Sequence, residues 1–379
     1  MRVKTRELSG AFGDIGTFIP LFVGYVTVNG LHAGSILTTF GLTYILTGAI
    51  YGVPIAVQPM KAIAALAITE GATPGEIQGT AILIGLLFLI MGATGLIRVL
   101  EKRIPIAVVR GIQLGLGLKF VILSLQYVAG DGSLGLALAL LGLLVVLVLL
   151  RRSILPASLA LLGLGIIAAL ALQPGSISPE PLALQLTLPS IAVPSASEAL
   201  QGLLFLGIPQ IPQTIGNAVI AAALLSRQYY GEKGATTKKL STTMGLVNST
   251  LPWFGAIPIC HGAGGIAAHH RFGARTGKSL FMIGAILMAS GLFLGGMGTQ
   301  ILRMIPLPII GVFLLFVSGE LILPLRQQRT RYSRIDWAVI LTIGGIAVAH
   351  RYGMVIALII GLALHYATRT ISQRAGQKQ

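Results

Sequence analysis

About fourteen apolar runs, joined by loops of a few residues, leave this chain almost no choice of fold class. They lie at 8–28, 33–52, 54–69, 75–97, 106–128, 133–150 and 153–172, then at 198–225, 237–252, 256–270, 278–302, 307–323, 335–349 and 352–369. A transmembrane helix takes ~20 mainly apolar residues. Only 10% of the 379 residues are charged, against roughly 25% in a soluble domain. The expectation is an all-α polytopic membrane protein held in a lipid bilayer, with no room for a large soluble domain. The first run contains Asp14 and has no Ala-x-Ala-type cleavage site, so it reads as a retained span rather than a signal peptide.

A net charge of +16 raises the question of nucleic acid, and its distribution argues against that partner. With the N-terminus inside and the spans alternating, the inside segments collect every Lys and Arg except Lys61, Lys119, Arg303 and Arg351. The outside loops hold Glu70, Glu76, Asp131, Glu180 and Glu198. This asymmetry is the positive-inside rule, and it puts both termini in the cytoplasm. Cys260 is the single cysteine, which excludes an intramolecular disulfide and a cysteine metal cluster.

A polar, Pro-rich stretch at 173–197 divides the runs into seven and seven. An odd number per half forces opposite orientations. The expected architecture is therefore two inverted seven-span repeats, 1–172 and 198–379, joined by an extracytoplasmic linker. Val53-Pro54-Ile55-Ala56-Val57-Gln58 corresponds to Ile257-Pro258-Ile259-Cys260-His261, and a small-residue helix follows each. Spans 3 and 10 are thus expected to be broken helices. Phe12 to Thr17 corresponds to Ile208 to Gln213, where polar groups three apart interrupt an apolar helix. Such paired interruptions in two halves point to a transporter site near the midplane.

Pro59 suits a first helical position, where its missing N–H costs nothing. A helix starting there turns free N–H groups and a positive dipole end toward apolar surroundings, which is an anion-binding device. Lys61 sits in its first turn, either as the counter-charge for an oxyanion or as a partner for Asp14. Asp14 itself has two readings: a carboxylate that binds a coupling proton, or one that fixes the N–H groups of a broken helix. Gln58, Gln210 and Gln213 offer amide donors without a second full charge; the alternative for each is interhelical hydrogen bonding. Thr17 and Asn217 are further lining candidates.

His261 precedes Gly262, Gly264 and Gly265, whose backbone N–H groups can approach an anion closely. The histidine can donate, titrate near neutral pH or simply pack. His269, His270, Arg271 and Arg275 read as orienting residues at the end of span 10 rather than as a metal or phosphate site. Lys119 and Glu320 read as a pair, or as side chains that snorkel to an interface. No His-Glu-x-x-His, Asp-rich or Gly-x-Ser-x-Gly pattern occurs. No enzyme activity, catalytic residue, metal or cofactor is expected.

Three stretches resemble a known family. They are Gly10-Ala11-Phe12-Gly13-Asp14-Ile15-Gly16-Thr17-Phe18-Ile19-Pro20, Val57-Gln58-Pro59-Met60-Lys61-Ala62-Ile63-Ala64, and Cys260-His261-Gly262-Ala263-Gly264-Gly265 with Arg271-Phe272-Gly273-Ala274-Arg275-Thr276-Gly277. Together they resemble the molybdate-transporter family, which is related to the sulfate permeases, over essentially the whole chain. The resemblance implies a core domain (spans 1–4 and 8–11) that carries substrate against a gate domain (spans 5–7 and 12–14). It implies a site between the starts of the two broken helices, near Gln58 and His261. It also implies a secondary transporter that imports molybdate, with tungstate and sulfate as competitors, in the plasma (inner) membrane. A homodimer follows by analogy of fold. A proton gradient as the driving force, a sulfate or other small-oxyanion substrate, and a passive anion channel stay open. The lack of a C-terminal regulatory domain favours the molybdate branch.

Overall fold

The computed structural model describes residues 2–97, 99, 103–152, 156–173, 186–327, 330 and 332–376. About half of the expected linker (174–185, with Glu180) and the charges Arg98, Lys102, Arg329, Arg331 and Lys378 lie outside the described residues. Helices form where the apolar runs lie: α1 (Arg2–Ala11), α2 (Ile15–Thr27), α3 (Ala33–Tyr51), α4 (Lys61–Glu70), α5 (Pro74–Thr94), α6 (Ile106–Gly130), α7 (Gly132–Arg152), α8 (Ala157–Leu172), α9 (Ala196–Lys233), α10 (Thr237–Thr250), α11 (Ala263–Phe272), α12 (Lys278–Arg303), α13 (Leu307–Gln327), α14 (Arg334–Ala347) and α15 (Gly353–Gly376). Among the described residues, seven helices are long and apolar enough to cross a membrane. On α7, Leu134, Leu136, Leu140, Leu144 and Leu147 are all exposed. A row of bare leucines that long needs a lipid cover.

The first apolar run is not one helix. It divides into α1 and α2 at a turn, where Gly13 N–H donates to Gly10 O (3.1 Å) and Ile15 N–H to Phe12 O (3.3 Å). The cause is tertiary. A Cβ on Gly13 would stand 2.6 Å from the backbone nitrogen of His269, so only glycine permits that approach. The matching interruption in the second half takes another form. Pro209 and Pro212 lack the N–H that continues a ladder. α9 passes them without a break, and π-helical turns lie on either side at Leu203–Gly207 and Thr214–Ala221.

Between α3 and α4, Pro54 and Pro59 keep the chain extended, and it ends in strand β1 (Gln58–Pro59). Between α10 and α11 lies strand β2 (Ile259–Cys260). The two strands pair antiparallel, with Gln58 opposite Cys260 and Pro59 opposite Ile259. Asn248 acts as a further strand neighbour: its amide donates to Ile259 O (2.7 Å) and its carbonyl accepts from Ile259 N–H (2.8 Å). Irregular backbone at membrane depth must be covered by protein. Ile55, Ala56, Val57 and Ile257 are fully buried.

The two short helices stop in the same way. Gly71 and Gly273 take left-handed φ values of 64° and 110°, and the next residue closes the turn. Ala72 N–H donates to Ala67 O and Ala274 N–H to His269 O, both at 2.9 Å. Asn29 adds bonds to Ala67 O (2.7 Å) and Ala72 O (2.9 Å).

α3 runs along α12 through small residues. Gly34, Gly41 and Gly48 face Gly295, Gly284 and Gly277, which lets the backbones approach closely. A Cβ on Gly41 would stand 2.5 Å from both Gly284 O and Met288 N. Gly41→Leu is therefore expected to cost about 1–3 kcal/mol by overpacking, read as a lower melting temperature in detergent. Gly298→Leu, on α12 but with nothing within 4 Å of its Cβ position, should leave melting unchanged. Equal melting of the two variants would contradict the packing described.

Candidate functional site

α4 and α11 each begin just after one strand of the β1–β2 pair, and because the strands are antiparallel the two helices leave the pair at opposite ends, each with its N-terminus toward it. A helix start leaves N–H groups without intrahelical partners. At α4 the residue before the helix, Met60, has no capping side chain. The cap comes instead from α9: Gln210 Oε1 accepts from Ala62 N–H (2.8 Å) and Ile63 N–H (3.3 Å), while its amide donates to Thr214 Oγ1 (2.9 Å). At α11 the side chain of Gln58 lies across the start. Its Oε1 sits where a Cβ of Gly262 would be, and its Nε2 is 2.8 Å from where a Cβ of Gly265 would stand. Each helix start is thus covered by a glutamine from another element.

A small, partly open cavity lies at this junction, lined by Gln58, Lys61, Gln210, Gln213, Asn217, Ala218 and Cys260. Lys61 is the one charged residue in that lining. Its Nζ lies 3.5 Å from Glu320 Oε2 of α13, and Thr17 Oγ1 donates to the same oxygen at 3.1 Å. Both members of the ion pair stay partly accessible, Lys61 at 22% and Glu320 at 28%. The cavity therefore holds amide donors and one cation, and a carboxylate already occupies that cation.

The structure brings together Gln58, Lys61, Gln210, Gln213 and Asn217, and adds Ala218 and Cys260. Thr17 reaches the group through Glu320. Gly262 borders it through Gln58. His261 lies apart from the lining. Its Nδ1 is 2.9 Å from Ala56 O, and a carbonyl can only accept, so that nitrogen carries the proton. Its Nε2 meets Thr243 Oγ1 at 3.1 Å, and the ring stands edge-on to Tyr51. It ties the segment before β1 to α10.

Asp14 and Lys61 are not partners. Asp14 sits at the N-cap of α2 but makes no side-chain cap bond. Its Oδ1 accepts from Tyr44 Oη at 2.5 Å and faces His269 Nε2 at 3.6 Å. Nor does Lys119 pair with Glu320: its Nζ meets Glu70 Oε1 at 2.5 Å. Sequence reasoning missed Glu320, Tyr44 and His269 as neighbours of the site. His269 was hidden in a basic run with His270 and Arg271, and the Lys61–Glu320 contact joins residues 259 apart, a distance that no local pattern spans.

The chain is similar to known proteins over most of its length. A family described as "Molybdate transporter of MFS superfamily" matches residues 6–120 and 202–321, which include every cavity-lining residue. Molybdate transporter 1 of Arabidopsis thaliana is 36% identical over 372 residues, covering 87% of this chain and 82% of that protein. Molybdate transporter 2 of the same plant is 35% identical over 408 residues, covering 94% and 88%. Among solved structures, the transmembrane domain of a cyanobacterium bicarbonate transporter, BicA, superposes with a TM-score of 0.66 at 16% identity, covering 96% of this chain and 97% of that one. The murine Solute Carrier 26 family member A9 anion transporter, inward-facing, gives a TM-score of 0.72 at 14% identity, covering 97% and 68%. At those identities the shared property is the fold. The relatives are transporters, not enzymes. The chain is a multi-pass integral membrane protein, and it belongs to the molybdate transporter family.

Proposed function

We propose that this protein imports molybdate across the plasma (inner) membrane, with both termini cytoplasmic, by alternating access driven by a proton gradient. The observation that carries the reading is the cavity between the starts of α4 and α11. A dianion entering it leaves water and needs replacement donors. Each helix start offers the equivalent of about half a positive charge, the glutamines offer amides, and Lys61 offers one full charge. With Lys61 released from Glu320, these roughly balance a doubly charged tetrahedral oxyanion. Tungstate, of similar shape and charge, should compete; sulfate is smaller and should fit more loosely.

The inverted repeat is part of the same proposal. Three reciprocal features support a two-fold relation: the antiparallel β1–β2 pair, the Gly71-Ala72 and Gly273-Ala274 stops, and the crossed packing of α3 on α12 and α5 on α10. Taking α2–α5 and α9–α12 as core and α6–α8 and α13–α15 as gate, 1–172 and 198–379 each contribute to both. Three ion pairs then cross between core and gate: Lys61–Glu320, Glu70–Lys119 and Glu76–Arg351. A moving core has to part them.

Purified protein in liposomes tests the proposal. The expected result is saturable uptake of labelled molybdate, accelerated by an inward proton gradient and inhibited by tungstate more strongly than by sulfate. Equal inhibition by sulfate would reassign the substrate to small oxyanions in general. No accumulation above empty liposomes would end the molybdate reading, and flux indifferent to the gradient at channel-like rates would favour a passive pore.

A further inference from the structure

Behind the cavity, and not lining it, is a polar cluster with no exposure to speak of: Asp14 is 2% and His269 0% exposed. We propose that Asp14, His269 and Tyr44 form a buried proton-binding site that loads one proton together with each oxyanion, and that Gln58 is the link between them. The proposal rests on the functional reading above and deepens it.

The argument is a count of hydrogens. His269 Nδ1 is 2.7 Å from Gly10 O, and a carbonyl only accepts. Nδ1 therefore carries a proton. The opposite nitrogen, Nε2, faces Asp14 Oδ1 at 3.6 Å. Without a proton on one of them, two lone pairs point at each other. Tyr44 raises the same question. Its Oη lies 2.5 Å from Asp14 Oδ1 and 3.0 Å from Val57 O. A hydroxyl has one hydrogen and cannot serve both acceptors. Either Tyr44 donates to an ionised Asp14, or it donates to Val57 O while a protonated Asp14 donates to Tyr44. These two arrangements of Tyr44 and Asp14 differ by one proton. Asp14 Oδ2 and His269 Nε2 are buried and make no hydrogen bond, so the heavy atoms already hold a place for that proton on either partner.

The cluster approaches the cavity through Gln58, which lines it. A Cβ on Gly265 would lie 2.7 Å from Asp14 Oδ2 and 2.8 Å from Gln58 Nε2, so carboxylate and amide converge on one glycine at the start of α11. Val57 O, the alternative acceptor for Tyr44, belongs to the residue before Gln58. An ionised Asp14 attracts the Gln58 amide toward Gly265. A protonated one releases it toward the cavity and engages Val57 O through Tyr44. Proton and oxyanion then favour the same arrangement, which is reciprocal coupling.

The other titratable groups on the surrounding elements are otherwise engaged. Glu7 of α1 accepts from the N–H groups of Arg275 and Thr276, Lys61 pairs with Glu320, and both ring nitrogens of His261 are bonded. His270 stacks on Tyr229 at 4.0 Å, and Arg271 is exposed. Tyr25 and Cys260, weak acids, are neutral at physiological pH.

Titration calorimetry of the purified protein with molybdate, repeated near pH 7 in buffers of different ionisation enthalpy, counts the protons taken up per anion bound. The expected values are close to one for the wild type and close to zero for Asp14→Asn; His269→Gln should shift the pH at which uptake is half complete. If Asp14→Asn does not fold, the wild-type value and His269→Gln decide alone. A wild type that binds molybdate without taking up a proton, or an unchanged proton number in the folded variants, overturns the proposal. Absence of any molybdate binding by the wild type overturns the functional reading beneath it instead.

Discussion

Lys61→Ala is expected to lower molybdate uptake by about 100-fold, the equivalent of about 2–3 kcal/mol for losing one partly desolvated charge opposite a dianion. The full cost of an unpaired buried charge does not apply, because Lys61 keeps 22% of its side-chain surface accessible and solvent screens part of its field. A second effect adds to the first. Without Lys61, Glu320 is left beside the cavity uncompensated and repels the anion. Glu320→Gln in the Lys61→Ala background should therefore recover part of the lost uptake, giving a clear non-additive cycle. Alone, Glu320→Gln removes the carboxylate that competes with substrate for Lys61 and accepts from Thr17, so it should tighten molybdate binding. Initial uptake rates at sub-saturating molybdate read all three variants. Additive losses would show that Lys61 and Glu320 act apart from one another.

Gly265→Val should abolish uptake while its neighbour Gly264→Ala leaves it near wild type. The two glycines are adjacent in one helix, but their surroundings differ. At Gly264 a Cβ meets nothing within 4 Å. At Gly265 it would meet Ala56 Cβ at 2.5 Å, Asp14 Oδ2 at 2.7 Å and Gln58 Nε2 at 2.8 Å. None of these can retreat cheaply: Ala56 is fully buried, and Gln58 and Asp14 are 3% and 2% exposed. Overpacking of this kind costs about 1–3 kcal/mol, and here the displaced atoms belong to the binding site and to the buried acid. Melting in detergent alongside uptake separates a folding defect from a site defect. A Gly265→Val protein that transports normally would mean that Gln58 does not sit over α11 during the cycle.

Much of this arrangement was legible in the chain because local rules governed it. Proline at 54, 59 and 258 has few backbone options, so the two extended segments followed from sequence, but Pro59 closes strand β1 instead of opening a helix, and α4 starts two residues later at Lys61. Lys61, Gln58, Gln210 and Gln213 stood out as polar groups inside apolar runs, where placement without a partner is costly. What was not legible depended on partners far along the chain. The break at Gly13 exists because α11 presses on it. Asp14 at an N-cap would ordinarily bond its own helix, yet Tyr44 and His269 draw it away. His261, flanked by glycines at a helix start, has the pattern of a ligand; Ala56 and Thr243 occupy both its nitrogens. The polar groups at Gln210 and Gln213 suggested an interrupted helix, but α9 runs on through them, with π turns to either side. Such turns often occur at functional sites, and Gln210 lies between these two.

Crystals of the protein soaked in tungstate, with data collected at the tungsten absorption edge, locate the bound oxyanion without reference to any side-chain assignment. The expected result is one strong anomalous peak between the starts of α4 and α11, within reach of Gln58, Lys61 and Gln210, that disappears in Lys61→Ala. A peak elsewhere in the protein, with that cavity unoccupied at saturating tungstate, would contradict the site.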